Sequence, residues 1–342
     1  MTKAPLGDLL LDLIGGHMKS SIVRATAQLG IVDVFGDEPR PAAEVAGELE
    51  LPVVSVRRLL RALTMLGLFV EPEDDHFAVL PEAKLLGRDH PASFRTLAEM
   101  YTDPLITRPW EKLATGLRTG QPTFESIFGL PFFDRLAAEP VMSAFFNATM
   151  SEATHSVAAT APSAYDFGRF AAVLDIGGGD GTLLTAILAA NPGLRGAVLD
   201  SAQGAAQAPT QYAEAGLTDR ASVLTGDFFA GIPEGYDLHV IKSILHDWPD
   251  DRCELILSHS RAAIPADGRL LVVDMVVPDR AEHGVARSVY LSDLTMLVNL
   301  GGRERTRADF EALFRRAGYE LTTTHTLPAE TQGVWLLEAR PV

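Results

Sequence analysis

The sequence predicts an α/β chain in two parts, a mostly α N-terminal half and a doubly wound parallel sheet behind it, and three observations carry this. Up to about Pro162 the apolar residues recur at helical spacing. After Tyr165 short β-type runs alternate with helical ones, the pattern of a sheet wound with crossover helices. The first of those runs, Val173 to Ile176, opens directly into Gly177, Gly178, Gly179 and Gly181, a turn that lets a ligand lie on bare backbone at a helix N-terminus.

In the N-terminal half, Leu59, Leu60, Leu63 and Leu66 fall on one helical face. Residues 41–46 and 54–63 read as two helices, and 68–70 with 77–79 as a short hairpin. Two helices and a hairpin form a winged-helix-like pattern. A DNA-reading role is disfavoured, because the second helix offers only Arg57, Arg58 and Arg61, and the wing carries Glu71, Glu73, Asp74 and Asp75. Dimer packing is the expected use. The half is taken as residues 1–162 and the sheet half as 163–342.

With 342 residues, 47% of them hydrophobic, the chain is long enough to bury a core in each half. Acids outnumber bases 45 to 29, a formal charge of −16, and no basic stripe is present to track phosphates, so nucleic acid is not an expected partner. Cys253 is the single cysteine, which excludes an intrachain disulfide and a thiolate-rich metal site and fits a reducing compartment. Asp8 and Asp12 interrupt Leu9 to Leu11, and no apolar run nears the ~20 residues of a membrane span. A cytoplasmic location is the expectation.

In the second half the β-type runs are 172–176, 196–199, 221–224, 238–242 and 270–273, with 322–325 and 334–338 as a closing antiparallel pair and the alanine-rich 202–215 as a helix. Ligands of such sheets bind beyond the carboxyl ends of the strands. The residues there are Asp175 with the glycine turn, Asp200, Asp227 with Phe228, Lys242 to Asp247, and Asp274. The third glycine of a dinucleotide fingerprint would fall on Thr182, and Asp175 stands inside the strand. A pyrophosphate avoids that carboxylate, whereas S-adenosylmethionine, with a sulfonium, an ammonium and no phosphate, is favoured by it.

Asp200 follows the glycine turn by roughly 20 residues, where an acid accepts from both ribose hydroxyls; a helix N-cap is the competing reading. Asp227 and Phe228 suit adenine, the carboxylate for the exocyclic amine and the ring for a face, against a plain turn with core phenylalanines. His246 stands just after the fourth strand, where a neutral imidazole can take a proton from an attacking phenol. Asp274 and Glu304 are the carboxylates that would hold its tautomer, their alternatives being a turn residue and a surface ion pair. The eight other histidines carry no catalytic assignment, with His17 and His155 noted as residues that would line a pocket.

Four motifs, Leu-Asp-Ile-Gly-Gly-Gly-Asp-Gly from Leu174, Gly-Asp-Phe-Phe from Gly226, Lys-Ser-Ile-Leu-His-Asp-Trp from Lys242 and Gly-Gly-Arg-Glu-Arg-Thr from Gly301, occur in order across the second half. In these motifs and their spacing the chain resembles the S-adenosylmethionine-dependent small-molecule O-methyltransferases, a family of plant caffeate and flavonoid enzymes and bacterial enzymes tailoring aromatic polyketide antibiotics. The resemblance implies a Rossmann-like methyltransferase sheet behind a dimerisation domain, and an intertwined homodimer whose helices roof the substrate. It implies a cofactor held by Asp175, Gly177, Gly179, Asp200, Asp227, Phe228 and Lys242 with Ser243 nearby. His246 matches the general base, flanked by Glu304 and by Asp274, where the family often has the longer Glu. Phe146, Met150, Asp247 and Asn299 match substrate-lining positions, and no metal is implied. The function so implied is methylation of a phenolic hydroxyl on an aromatic secondary metabolite. The alternatives are a relative that uses the cofactor for hydroxylation or decarboxylation, an N-methyltransferase, and a non-catalytic winged-helix ligand sensor.

Overall fold

A computed structural model describes residues 7–90, 92–281, 287–331 and 333–342. The chain divides into two compact units between Thr107 and Arg108, well before the boundary expected at 162/163. The reason is the long Pro140–Ala164 helix, whose Val157, Ala158 and Ala161 are buried in the same core as Val173, Leu183 and Leu184 of the sheet half. Helical periodicity identifies a helix and is silent on which core it joins.

In the first unit, the Ala42–Glu48 and Val53–Met65 helices precede a three-stranded antiparallel sheet. Its strands β1 (Arg40–Pro41), β2 (Phe69–Glu73) and β3 (His76–Val79) lie in the order β1-β3-β2. Val56, Leu60 and Leu63 face inward on one helical stripe against Val45, Phe69 and Phe77. The hairpin turns on Asp75, which has the left-handed φ of 61°. Its carboxylate receives the Arg57 fork, Nε to Oδ1 at 2.5 Å and Nη2 to Oδ2 at 2.8 Å, and Arg61 meets Glu71 at 3.2 Å. Two of the three arginines that raised a DNA reading are thus paired with the acids of the hairpin. On the Asp8–Ile14 helix, Leu9, Leu10, Leu11, Leu13 and Ile14 are all exposed.

The second unit is built on β4 (Ala172–Ile176), β5 (Arg195–Asp200), β6 (Ala221–Thr225), β7 (Leu238–Lys242), β8 (Arg269–Val277), β9 (Arg305–Thr306), β10 (Tyr319–Thr326) and β11 (Val334–Pro341). The order is β10-β11-β8-β7-β4-β5-β6, with the short β9 beside the end of β8. Strands β4 to β8 run parallel, and β11 is antiparallel to both β8 and β10. Residues alternate between the faces, as strand geometry requires. Val173, Val198, Val240 and Val273 join the helices 140–164 and 182–190 on one side. Leu174, Leu199, Ile241 and Val272 join the Asp250–Ala263 and Arg307–Arg316 helices on the other.

The chain builds outward from β4 through β5 to β6 and then crosses back to place β7 on β4's other side. That reversal is the topological switch point, and it opens a crevice outside the carboxyl ends of β4 and β7. The helix expected over 202–215 is shorter, Ala208–Glu214, with turns before it. Residues 201–204 form a turn instead: Gly204 N–H donates to Ser201 Oγ at 3.0 Å, and a Cβ at Gly204 would collide with the Asp200 carboxylate. Alanine propensity yields there to the packing around Asp200. Among the described residues no helix is long and apolar enough to cross a membrane.

Candidate active site

At the end of β4 the backbone turns through Gly177 (φ 73°), Gly179 (φ 57°) and Gly181 (φ 79°) into the Thr182–Ala190 helix. These angles are open to glycine and strained for other residues. A Cβ at Gly177 would lie 2.5 Å from Ile244 Cδ1, and one at Gly178 2.6 Å from Asp175 Oδ2. Open space lies where a Cβ of Gly179 would point. Asp180 Oδ1 accepts from Thr182 N at 3.1 Å and Oγ1 at 2.8 Å, and its Oδ2 from Gln211 Nε2 at 2.8 Å, which fixes the turn at the helix start.

Asp175 is 1% exposed, and neither of its carboxylate oxygens has a hydrogen-bond partner among the described residues. Burial pushes this carboxyl up to about 7 against the pull of Lys242. Asp200 Oδ2 accepts from Gly179 N at 2.9 Å and Oδ1 from Ser201 N at 2.6 Å. Asp227 is exposed and caps its own turn, accepting from Phe229 N at 2.8 Å. The half-buried Phe228 lies beside the glycine turn, its Cε1 3.7 Å from where a Gly177 Cβ would stand. Lys242 Nζ donates to Ser243 Oγ at 3.2 Å. Ser243 holds a left-handed φ of 52°, one of three positive-φ residues other than glycine among those described. Strain of that kind concentrates where surrounding structure overrides local preference.

Across the crevice, His246 sits in the short 3₁₀ turn Leu245–Asp247 after β7. Its Nδ1 lies 2.9 Å from Glu304 Oε1 and 3.5 Å from Asp274 Oδ1, and its Nε2 lies 3.4 Å from Asp247 Oδ1. β8 continues to Val277, so Asp274 is a buried mid-strand residue rather than a strand end, and the shorter acid comes within 3.5 Å of the imidazole. Ser292 Oγ donates to Glu304 Oε1 at 2.6 Å and Glu304 N to Asp293 Oδ1 at 2.9 Å; neither partner was expected from the sequence. Burial opposes charge on the imidazole, but Asp274, Glu304 and Asp247 together outweigh it and hold His246 up to about 10. Asp247 is pushed up to about 7 and Asp274 to about 6, in both cases by burial first. The donor atoms of His246, Asp274 and Glu304 all lie within 4.8 Å of one another, so the trio also has the spacing of a metal-ligand set.

Of the expected substrate positions, Phe146 is half-buried and meets Phe132 edge-on at 5.5 Å. Met150 is half-buried one turn further on the same helix. Asn299 is 3% exposed: its Nδ2 donates to Thr295 O at 3.2 Å and its Oδ1 has no partner among the described residues. Phe133 stacks on Trp248 at 5.5 Å, and Trp248 meets Phe229 edge-on at 4.8 Å, an aromatic contact that no spacing in the sequence signals. His17 lies in the first unit, exposed on the Gly16–Gln28 helix.

The carboxyl ends of β4 to β6 thus carry a glycine turn with an aromatic ring and two acids, and the turn after β7 carries a histidine among three carboxylates. A model of the O-methyltransferase domain matches residues 110–320, and one of the O-methyltransferase dimerisation domain matches residues 11–83. The chain belongs to the O-methyltransferase family. Among its O-methyltransferase relatives is the O-demethylpuromycin-O-methyltransferase of Streptomyces alboniger, 41% identical over 97% of this chain and 89% of that protein. The phenazine O-methyltransferase PhzM of Lysobacter antibioticus is 37% identical over 99% of this chain and 97% of its own. A solved O-methyltransferase of neocarzinostatin biosynthesis, NcsB1, in complex with S-adenosylmethionine and 2-hydroxy-5-methyl naphthoic acid, superposes with a TM-score of 0.79 at 30% identity, covering 95% of this chain and 96% of that one. The N-terminal unit of this O-methyltransferase accordingly contains a dimerisation domain, in which Arg57 and Arg61 of the second helix are paired with acids of the hairpin.

Proposed function

We propose that this chain is an S-adenosylmethionine-dependent O-methyltransferase that methylates a phenolic hydroxyl of an aromatic secondary metabolite. The observation that carries the reading is His246, in the turn that follows β7 at the switch-point crevice, with Nδ1 on Glu304 and Asp274 and with Nε2 left towards Asp247. Relatives named for puromycin and phenazine methylation support the substrate class. The residues present fit the cofactor. Open space over Gly179, the Asp200 carboxylate on the Gly179 amide, the Phe228 ring and the unpartnered oxygens of Asp175 suit an adenosyl group that carries a cation. We assign Asp175, Gly177, Gly179, Asp200, Asp227, Phe228, Lys242 and Ser243 to that ligand. Phe146, Met150, Asp247 and Asn299 are assigned to the acceptor.

The cofactor supplies an electrophilic methyl group on sulfur; the work of this chain is to position the acceptor oxygen in line with it and to take its proton. Positioning of that kind contributes about 7 to 11 kcal/mol. Glu304 and Asp274 hold the Nδ1 side of His246, which leaves Nε2 to receive the phenolic proton. The three carboxylates bring His246 up to about 10, near the ordinary value of a phenol, so the transfer is close to balanced. The same match means that the resting imidazole is largely protonated at neutral pH and is freed as base when the pH rises.

Turnover is therefore expected to climb with pH above 7, on a limb lying above the free-imidazole value of about 6.5. Glu304→Gln removes one of the charges that raises His246 and should move that limb to lower pH while reducing the maximal rate. A kcat–pH profile of both proteins checks this, and identical midpoints would refute the electrostatic role of Glu304. Transfer of a labelled methyl group from S-adenosylmethionine to a panel of phenols and aromatic amines tests the function itself. Product on phenols is expected, product on amines alone would shift the reading to N-methylation, and no product with any acceptor would remove it. Turnover should also survive a chelator, because His246 acts here as a proton acceptor rather than a ligand; loss restored by a divalent ion would overturn that.

We infer a homodimer formed through the first unit, supported by the dimerisation-domain match and by the exposed leucines of the Asp8–Ile14 helix. Cys253 is buried as a free thiol, which suits the cytoplasm.

A further inference from the structure

The imidazole and its carboxylates come from three separate segments: His246 from the turn after β7, Asp274 from β8, and Glu304 from the residue before β9. The polar contacts of the imidazole itself form one link between them. A side chain that the proposed reaction does not use bridges the same segments. Arg305, adjacent to Glu304, is 1% exposed although it carries a permanent charge. Its Nη1 donates to Leu245 O at 2.6 Å, and its Nη2 donates to Trp248 O at 3.0 Å and to Asp250 Oδ1 at 2.7 Å. Leu245 and Trp248 bracket His246 and Asp247 in sequence, so the guanidinium grips the turn on both sides of the imidazole. The backbone of Arg305 is in turn paired with Val276 of β8, two residues beyond Asp274.

We propose that Arg305 is the positioning residue for His246, tying the two carbonyls that flank the histidine turn to the β8–β9 edge that carries Asp274 and Glu304. The residue type follows from the task. Within the turn Leu245 O receives only a long 3.4 Å contact from Trp248 N, and beyond it the weak thiol donor of Cys253 reaches Leu245 O and Trp248 O at 3.1 and 3.3 Å, so both carbonyls keep room for a strong charged donor. Meeting two of them and a carboxylate from one direction takes the planar multi-donor fork of arginine, which a lysine ammonium does not reproduce. Burial of the charge is tolerated because Asp250 pairs with it. Close approach of the two segments also depends on Gly302, where a Cβ would collide with the His246 carbonyl and stand 2.6 Å from Trp248 N. The Gly-Gly-Arg-Glu-Arg-Thr motif is then one device: glycine for the approach, Glu304 for the imidazole, and Arg305 for the turn that presents it.

This inference rests on His246 being the base, and its test includes a readout independent of turnover. Arg305→Lys, Asp250→Ala and the control Arg316→Ala are compared with the wild type for kcat, for S-adenosylhomocysteine affinity by calorimetry, and for the hydrogen-bonded imidazole proton of His246 by NMR, assigned by its loss in His246→Asn. Arg305→Lys should lower kcat by about 10- to 100-fold, the scale of an ångström-sized misplacement. Cofactor-product affinity should hold, and the imidazole resonance should move or broaden. Asp250→Ala, which removes the guanidinium's one carboxylate anchor at an accessible position, should show the same pair of effects at smaller size. Arg316 shares Asp250 from the exposed side, at 3.1 Å, and its loss should change neither readout. A wild-type kcat and resonance in Arg305→Lys would overturn the proposal. So would a kcat lost in step with S-adenosylhomocysteine affinity, because that marks general damage. If Arg305→Lys does not fold, Asp250→Ala decides: both readouts displaced supports the clamp, both unchanged refutes it. Should His246→Ala keep its turnover, the base assignment fails while the NMR displacement still reports on Arg305.

Discussion

Replacing His246 by alanine is expected to lower kcat by roughly 10²- to 10⁴-fold, the range spanned by a positioned general base. S-adenosylhomocysteine should bind as before, because the glycine turn, Asp200 and Phe228 stand on β4, β5 and the β6 end, apart from the histidine turn. A second effect accompanies the first. The imidazolium is the nearest positive charge to Asp247, Asp274 and Glu304, and its removal leaves three buried carboxylates without it. Buried acids in that position take up protons or destabilise the fold. The sign can be followed with pH. His246 is raised above its unfolded value of about 6.5, so the stability it contributes is complete below that pH and lost as the pH climbs towards about 10. Melting curves of the wild type should therefore show stability falling as the pH rises from 7 towards 10. Methyl-transfer kinetics decide the main point: a kcat within a few-fold of the wild type would remove His246 from the reaction, and equal losses of kcat and product affinity would show a collapsed site.

Asp200→Ala should weaken S-adenosylhomocysteine by about 10²- to 10⁴-fold if its carboxylate accepts from both ribose hydroxyls, since each hydrogen bond to a charged group contributes about 1.5 to 3 kcal/mol. The same carboxylate already receives the amides of Gly179 and Ser201, so two roles compete for the effect. In the first it touches the ligand; in the second it only locks the glycine turn. Asp200→Asn separates them. Its amide oxygen can still accept from Gly179, while the amide nitrogen cannot accept from a hydroxyl. Ligand contact predicts that Asn loses most of what Ala loses, and turn locking predicts that Asn stays near the wild type. Calorimetry with S-adenosylhomocysteine reads the difference, and an unchanged affinity in the alanine variant would exclude Asp200 from the cofactor site. No binding to the wild type would overturn the cofactor assignment as a whole.

Much of the fold and of the site is legible in the amino-acid sequence. The runs 172–176 and 238–242 form strands with the expected limits, because strands buried on both faces read as mostly apolar runs, here interrupted by Asp175 in the first and by His239 and Lys242 in the second. The parallel order follows from the alternation with helices. Where sequence and structure part, the cause is a contact that composition does not record. Residues 202–207 leave the helix for a turn packed on Asp200. Asp274 lies within β8 rather than at its end, and comes within 3.5 Å of His246 without the extra methylene of glutamate. The Pro140–Ala164 helix belongs to the sheet's core rather than to the helical unit before it.

The sequence alone determined the local features from which the chemistry was read: a glycine turn after the first strand of the sheet half, acids in or just after the strands, and a histidine just after the fourth. These are local facts, written in spacings of one to a few residues and in backbone preferences that glycine either permits or does not. Only the tertiary structure decided how the histidine is held. Glu304 lies 58 residues from His246 in the chain, yet 2.9 Å from it in space, and Arg305 crosses a gap of 60 residues to grip Leu245. Such distances are set by strand order, by the register of β9 on β8 and by the absence of a side chain at Gly302. The energy of each contact depends on the burial that those features create together.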